Sequence, residues 1–379
     1  MRRALAPGAV VDMELPPFLL DHWLAFHEFR PNPPRYNLAS STGPSWSLRD
    51  LQELGESRFA IEDIAIGYAP PDGGRELREA IAAHHGVDPD WVVVTTGASE
   101  ACSILLCLAS KAGANVVLPA PAFPAFAAMA QAWQLEPLFY QLQRAQDYRQ
   151  TANAVLDAVN AATVLALVNT PHNPTGSVMP RAEIAALADG LAGRGVPLIV
   201  DEVYHPLYFG DPQPSAADIG NVIVISDMSK ALSLAGLRLG WIIDADPVRR
   251  KRIIDARSYF TISSSPINEA IAAFALRNRG PLLARLQDVA SANLAQLKSV
   301  MSEAAGMLSW AEPRGGTTAF PWFEDGRDCR AFCERLAEDG LLIVPGDCFD
   351  RPDHFRLGFG ALAGHFDQAM DILRAGLRA

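Results

Sequence analysis

The chain has 379 residues, which is room for two or three domains or for one large domain with a satellite. Hydrophobic residues make up 49% and charged residues 20%, a mixture that excludes a disordered chain and supplies a sizeable core. A formal net charge of -11 disfavours nucleic acid and anionic lipid as partners, although a local pocket can still take a small anion.

Residues 1–17, MRRALAPGAVVDMELPP, carry two arginines, but Pro7, Gly8 and Asp12 interrupt the apolar stretch, so the segment reads as a poor signal peptide. No apolar run reaches the length of about 18 residues that a membrane-spanning helix needs. The five cysteines, Cys102, Cys107, Cys329, Cys333 and Cys348, are odd in number and form no CxxC. They read as reduced thiols, which points to the cytoplasm. The Pro-rich first 45 or so residues are expected to pack against the C-terminal part of the chain.

From there the chain alternates short apolar runs with helical patterns. WVVVTT (91–96), NVVLPA (115–120), TVLALVN (163–169), PLIVDEV (197–203), NVIVIS (221–226) and LGWII (239–243) read as buried strands. Between them, 98–113 and 181–195 repeat apolar residues at helical spacing. This alternation predicts an α/β fold with a mostly parallel sheet and helices on both faces. In such sheets the functional site gathers at the carboxyl ends of the strands. After about residue 262 the pattern changes to a long helical segment (266–305), a turn-rich stretch, a helix (327–339), the strands LLIVP (341–345) and FRLGF (355–359), and a final helix. We expect a large domain over 46–262, and a smaller α+β domain built from 1–45 and 263–379.

Several polar residues sit where the predicted strands end. TTGASE (95–100) would expose backbone N–H groups at a helix N-terminus, a ready anion site but a common one. NTPHNPTG (169–176) places Asn173 in a rigid turn, and DEVYHPLYF (201–209) begins with an Asp201 that ends an apolar run. A buried carboxylate there needs a cationic partner. In SDMSKALSLAGLRLGW (226–241), Lys230 stands in a segment with few other charges. A desolvated lysine has a lowered pKa and becomes a nucleophile toward carbonyls. Arg238, further along, offers a bidentate group suited to phosphate. Taken singly, Asp201 is a cap or core salt bridge and Lys230 a loop lysine.

Taken together, the ordered set Tyr68, GASE, Phe123 in PAPAFPAF (119–126), NPTG, DEVY, SK, Arg238 and Arg356 resembles the fold-type I pyridoxal 5′-phosphate (PLP) enzymes, in particular the class I/II aminotransferases, over about residues 36–360. The resemblance implies a mostly parallel seven-stranded sheet of the aspartate aminotransferase-like kind. It also implies that Lys230 carries PLP as a Schiff base and acts as general base, while Asp201 keeps the pyridine nitrogen protonated. Asn173 and Tyr204 would bond the cofactor's phenolic oxygen, with Tyr204 counted among the catalytic residues. Ala98, Ser99, Ser229 and Arg238 would hold the phosphate, and Phe123 would stack on the ring. Tyr68 would reach the phosphate of a partner subunit, which makes a homodimer the expected assembly. Arg356 would clamp the substrate carboxylate, with Asn173 beside it.

The chain departs from the family pattern in places. Many relatives have Ser or Thr three residues before the lysine, where this chain has Asp227, and Ser226 is a candidate replacement. The stretch YNLASSTGP (36–44) replaces a glycine-rich substrate strand, which makes Ser41, with Ser40 and Thr42, a candidate substrate contact. His205 reads as structural, and no spacing suggests a metal centre. The expected reaction is amino transfer between an L-amino acid and a 2-oxo acid. Elimination, cyclisation or oxidation by a PLP-dependent lyase, cyclase or oxidase is the alternative. No basic helix-turn-helix precedes the fold, so an amino-acid-responsive DNA-binding regulator is not expected.

Overall fold

The structure is a computed structural model that describes residues 15–55 and 60–379. The signal-peptide reading of the N-terminus therefore falls almost wholly outside the described residues. Seven strands form the central sheet: β1 (Val92–Thr95), β2 (Asn115–Ala120), β3 (Glu136–Gln141), β4 (Thr163–Asn169), β5 (Leu198–Asp201), β6 (Val222–Asp227) and β7 (Gly240–Asp244). Their spatial order is β1-β7-β6-β5-β4-β2-β3. Only β7 runs antiparallel to its neighbours. The mostly parallel seven-stranded sheet expected from the sequence is thus present.

Continuous Val/Ile/Leu runs form this sheet because both of its faces are covered, so no strand position can be polar without cost. Val92 and Val94 point into one apolar cluster with Leu77, Ile81, Ile184 and Leu187. Val93, between them, points into a second cluster with Ile104, Leu105 and Ile253 on the other face. Each fully buried Val, Ile or Leu contributes roughly 1.5–3 kcal/mol by leaving water. β3 is the exception that the sequence reading missed. It lies at the sheet edge with only Tyr140 buried along its length, so EPLFYQ lacks the continuous apolar run of its neighbours.

The C-terminal part also differs in detail from expectation. The segment 266–305 is two helices, Pro266–Arg277 and Arg279–Glu303, which meet at Asn278. The LLIVP run divides its pairing. Leu341–Leu342 joins Tyr36–Asn37 in parallel, whereas Val344–Pro345 pairs antiparallel with Phe355–Gly358. The early residues are therefore hydrogen-bonded into the end of the chain. Helix α1 (Leu19–Glu28), which the sequence reading did not single out, buries Leu20, Trp23 and His27, and Trp23 Nε1 donates to the Ile343 carbonyl at 2.9 Å.

Register aligns the functional edge of the sheet. Asn169 pairs with Asp201, while Gly240 pairs with both Thr95 and Asp227. A Cβ on Gly240 would lie 2.5 Å from the Gly97 carbonyl carbon and 2.7 Å from Ala98 N, so only glycine lets the backbones approach this closely. Gly240→Ala is expected to destabilise the protein by about 3 kcal/mol, near the top of the range for overpacking, with a lowered Tm in a thermal melt.

Candidate active site

The carboxyl ends of β4, β5 and β6, together with the start of helix α2 (Gly97–Ala109), surround a cavity of about 370 Å³. Asp201 closes β5 and lies at the cavity floor, 6% exposed. Its Oδ1 accepts the Val203 N–H at 3.1 Å. Asn169, its register partner, donates to the Asp201 carbonyl at 3.2 Å and accepts the Asn173 N–H at 2.8 Å, which fixes the turn carrying Asn173. Burial pushes the Asp201 carboxyl up to about 7, against the lowering effect of the Val203 N–H, and Asp227 pushes it further the same way. Among the described residues Asp201 makes no ion pair. A carboxyl in this position is stabilised in its charged form by a cation brought into the cavity.

Lys230 extends into the same cavity, and its Nζ donates to Ser41 Oγ at 2.9 Å. Burial lowers its pKa, partly offset by the nearby Asp227 carboxylate. The neutral amine, which is the nucleophilic form, is thereby favoured. The Tyr204 phenol lies against Ser41 as well, and burial pushes it up to about 12. Phe123 forms a side wall, edge-on to Phe18 and Phe126 at 5.8 and 5.7 Å between ring centroids.

The far end of the cavity is built from backbone donors and one guanidinium. Gly97 (φ +81) opens α2 in the left-handed region, and a Cβ there would lie 2.9 Å from Arg238 Nη2. Arg238 is itself left-handed (φ 47), a conformation that costs a non-glycine residue roughly 1–2 kcal/mol. Its Nη1 donates to the Ala235 carbonyl at 3.1 Å and reaches Ser229 Oγ at 3.5 Å. Ala98 and Ser99 line the cavity beside it. Asp227, rather than Ser226, faces inward. The Ser226 hydroxyl donates away from the cavity, to the Glu202 carbonyl at 3.2 Å.

The opposite end is set by the strand Phe355–Gly358. Arg356 is 2% exposed, donates from Nη1 to Asn173 Oδ1 at 3.2 Å and from Nη2 to the Ala39 carbonyl at 2.5 Å, and leaves its Nε without a partner. The Ser41 loop is held by Thr317 Oγ1, which donates to the Ser41 carbonyl at 2.8 Å, and by Gly358 N–H, which donates to Leu38 at 2.6 Å.

The candidate residues of the chain's own site therefore line one cavity, except Tyr68, Thr42 and Ser226. Tyr68 is 86% exposed and lines no part of it. His205 lies behind the site, its Nδ1 3.0 Å from Tyr208 Oη and its pKa lowered by burial. Sequence reasoning missed α1, whose Leu20, Asp21, Leu24 and Glu28 also face the cavity. The signal was present in LLDHWLAFHE as an apolar three-to-four spacing, obscured by the prolines on both sides.

The donor set fits one kind of group. A buried carboxyl lacking a cation suits a protonated ring nitrogen, and the aromatic wall suits a flat ring. A lysine of lowered pKa suits an aldehyde, and an arginine with helix N–H groups suits a phosphate.

Comparison with known proteins agrees with this chemistry. Residues 49–374 match the family described as aminotransferase class I and II. The chain is 30% identical to a valine–pyruvate aminotransferase of Mycobacterium tuberculosis over 94% of its own length and 95% of that protein's. It is 29% identical to a capreomycidine synthase of Streptomyces vinaceus over 91% and 90% of the two lengths. The crystal structure of a PLP-dependent aminotransferase from Streptococcus suis superposes with a TM-score of 0.88 at 25% identity, covering 97% of this chain and 98% of that one. A cavity that asks for a cationic ring and an anionic tail, in a chain matched over most of its length, leads to one conclusion: this protein belongs to the class I and II aminotransferases and uses PLP.

Proposed function

We propose that the chain moves an amino group between an L-amino acid and a 2-oxo acid, and that Lys230 is the residue that holds the cofactor and moves the proton. The observation that carries this reading is the meeting of the Lys230 amine, the uncompensated Asp201 carboxyl and the Arg356 guanidinium in one cavity. When bound, PLP supplies an electron sink for the negative charge that develops at the substrate Cα. The rest of the reaction falls to the protein. Asp201 would hold the ring nitrogen as a cation, each charge offsetting the desolvation of the other. Asn173 and Tyr204 would donate to the phenolic oxygen. Ala98, Ser99, Ser229 and Arg238 would hold the phosphate, and Phe123 would cover one face of the ring. Arg356 would bind the substrate carboxylate from its partnerless Nε side, and Ser41 would orient the amine end. Lys230 Nζ, displaced by substrate, would then accept and return a proton.

The cavity is lined both by residues of 46–262 and by Ser41 and Arg356 from 1–45 and 263–379, which supports a two-domain division with the site between the parts. Its five unpaired cysteines, four of them buried, suit the reducing cytoplasm. A homodimer is supported by the exposed Ile66, Tyr68, Tyr259 and Ile262. They lie on two segments tied together where Arg257 Nη1 donates to the Pro71 carbonyl at 2.5 Å.

A second reading, a PLP-dependent cyclase, lyase or oxidase, is favoured by the similarity to capreomycidine synthase. A single-turnover experiment separates the two. Given an amino acid and no acceptor, an aminotransferase releases one equivalent of 2-oxo acid per site and stops. Continued release, or a modified amino acid with no release, indicates the second reading.

Lys230→Ala is expected to lower turnover by at least about 10²–10⁴-fold and to abolish the visible absorbance of the lysine-linked cofactor. Full turnover with that absorbance intact would sink the assignment. For the dimer, Lys230→Ala and Tyr68→Ala chains are each expected to be impaired, and mixing them should restore activity, because one mixed site keeps both residues. Failure of every mixing ratio to recover activity would remove Tyr68 from the partner's site.

A further inference from the structure

We propose that Asp227 is a built-in competitor for the cofactor's phosphate, so that this chain grips PLP by its phosphate more weakly than a neutral residue at the same place would allow. The inference rests on the phosphate-end assignment made above.

Asp227 is the last residue of β6, 8% exposed, and lines the cavity. Its Oδ1 accepts the Ser229 N–H at 2.8 Å, and its Oδ2 lies 3.5 Å from the Ala98 N–H at the start of α2. Ala98 belongs to the donor set that a phosphate would use. The strand that carries it is seated close to the start of α2, because its register partner Gly240 is pressed against the Gly97–Ala98 backbone. The carboxylate is not neutralised. Among the described residues no cation lies within ion-pair distance of it, and the Arg238 guanidinium is directed to Ser229 and Ala235. The other charged groups near it are Lys230 and Asp201, and the second of these is also an acid.

The charge count follows. One guanidinium and one carboxylate cancel at the phosphate end, and a dianion arriving there meets the helix N–H groups and the Ser99 and Ser229 hydroxyls but no net positive charge from this pair. To bind, it must displace the carboxylate from Ala98 or share a proton with it. Either requirement weakens the phosphate contact, whereas the ring end feels Asp227 only through its charge on Asp201 and Lys230.

The test uses cofactor-free wild-type chain, Asp227→Asn and Asp227→Ser, with PLP, pyridoxal and inorganic phosphate as probes in binding titrations. Asn keeps an oxygen for the Ser229 N–H and removes only the charge. Both variants should bind PLP and inorganic phosphate about tenfold tighter or more, with a clearly smaller change for pyridoxal. Equal or weaker phosphate binding in a folded variant overturns the proposal, as does an equal gain for pyridoxal. On the wild-type chain, inorganic phosphate up to about 10 mM should leave Tm unmoved, and a clear rise would also overturn it. If the wild type binds neither PLP nor pyridoxal, the cofactor-site reading fails. If it binds both and the variants show no phosphate-specific gain, only the present proposal fails.

Discussion

A carboxyl group at the end of a central strand, walled off from water, ionises less readily than one in water unless a compensating charge is near. Asp201 is in that position. Its backbone bond to Val203 and the charge of Lys230 do not offset burial, and the acids next to it, Asp227 first, make ionisation harder still. No lysine, arginine or histidine of the described chain comes within ion-pair distance. The surrounding architecture makes sense as a way of bringing the missing charge from outside. On the roles proposed above, the aromatic wall would admit a flat ring, the lysine would tether it, and the helix start with Arg238 would receive an anionic tail.

Placement of these groups depends on strand register more than on loop shape. The parallel strands end on one edge, so Asn169, Asp201 and Asp227 arrive there together. The single antiparallel strand, β7, delivers Arg238 to that edge from the opposite direction, since its first residue, rather than its last, lies there. One glycine at position 240 lets that strand sit against the start of α2. The chemistry of the site is therefore coupled to the packing of the sheet, and the two cannot be altered independently along this edge.

Much of this was legible in the sequence, for physical reasons that differ from residue to residue. Strands covered on both faces must be apolar throughout, so β5 and β6 stand out and Asp201 is conspicuous where one of them stops. β3 has one strand neighbour and a half-exposed surface, which left EPLFYQ with no distinctive pattern. The break at Asn278 was invisible because the apolar spacing continues on either side of it. Helix α1 was obscured by the prolines that flank it. The choice between Ser226 and Asp227 needed the three-dimensional structure, because successive strand residues face opposite sides and the sequence does not say which side holds the cavity.

The loop that carries Ser41 has one further consequence. It is fixed by Thr317, Arg356 and Gly358, residues that the ribosome adds near the end of synthesis. Lys230 and Asp201 emerge much earlier, on a sheet that can already pair. Until the last strand docks, the Ser41 loop lacks these anchors and the cavity lacks the Arg356 guanidinium. On the roles proposed above, the residues that would hold the cofactor are thus made before the residue that would receive the substrate carboxylate.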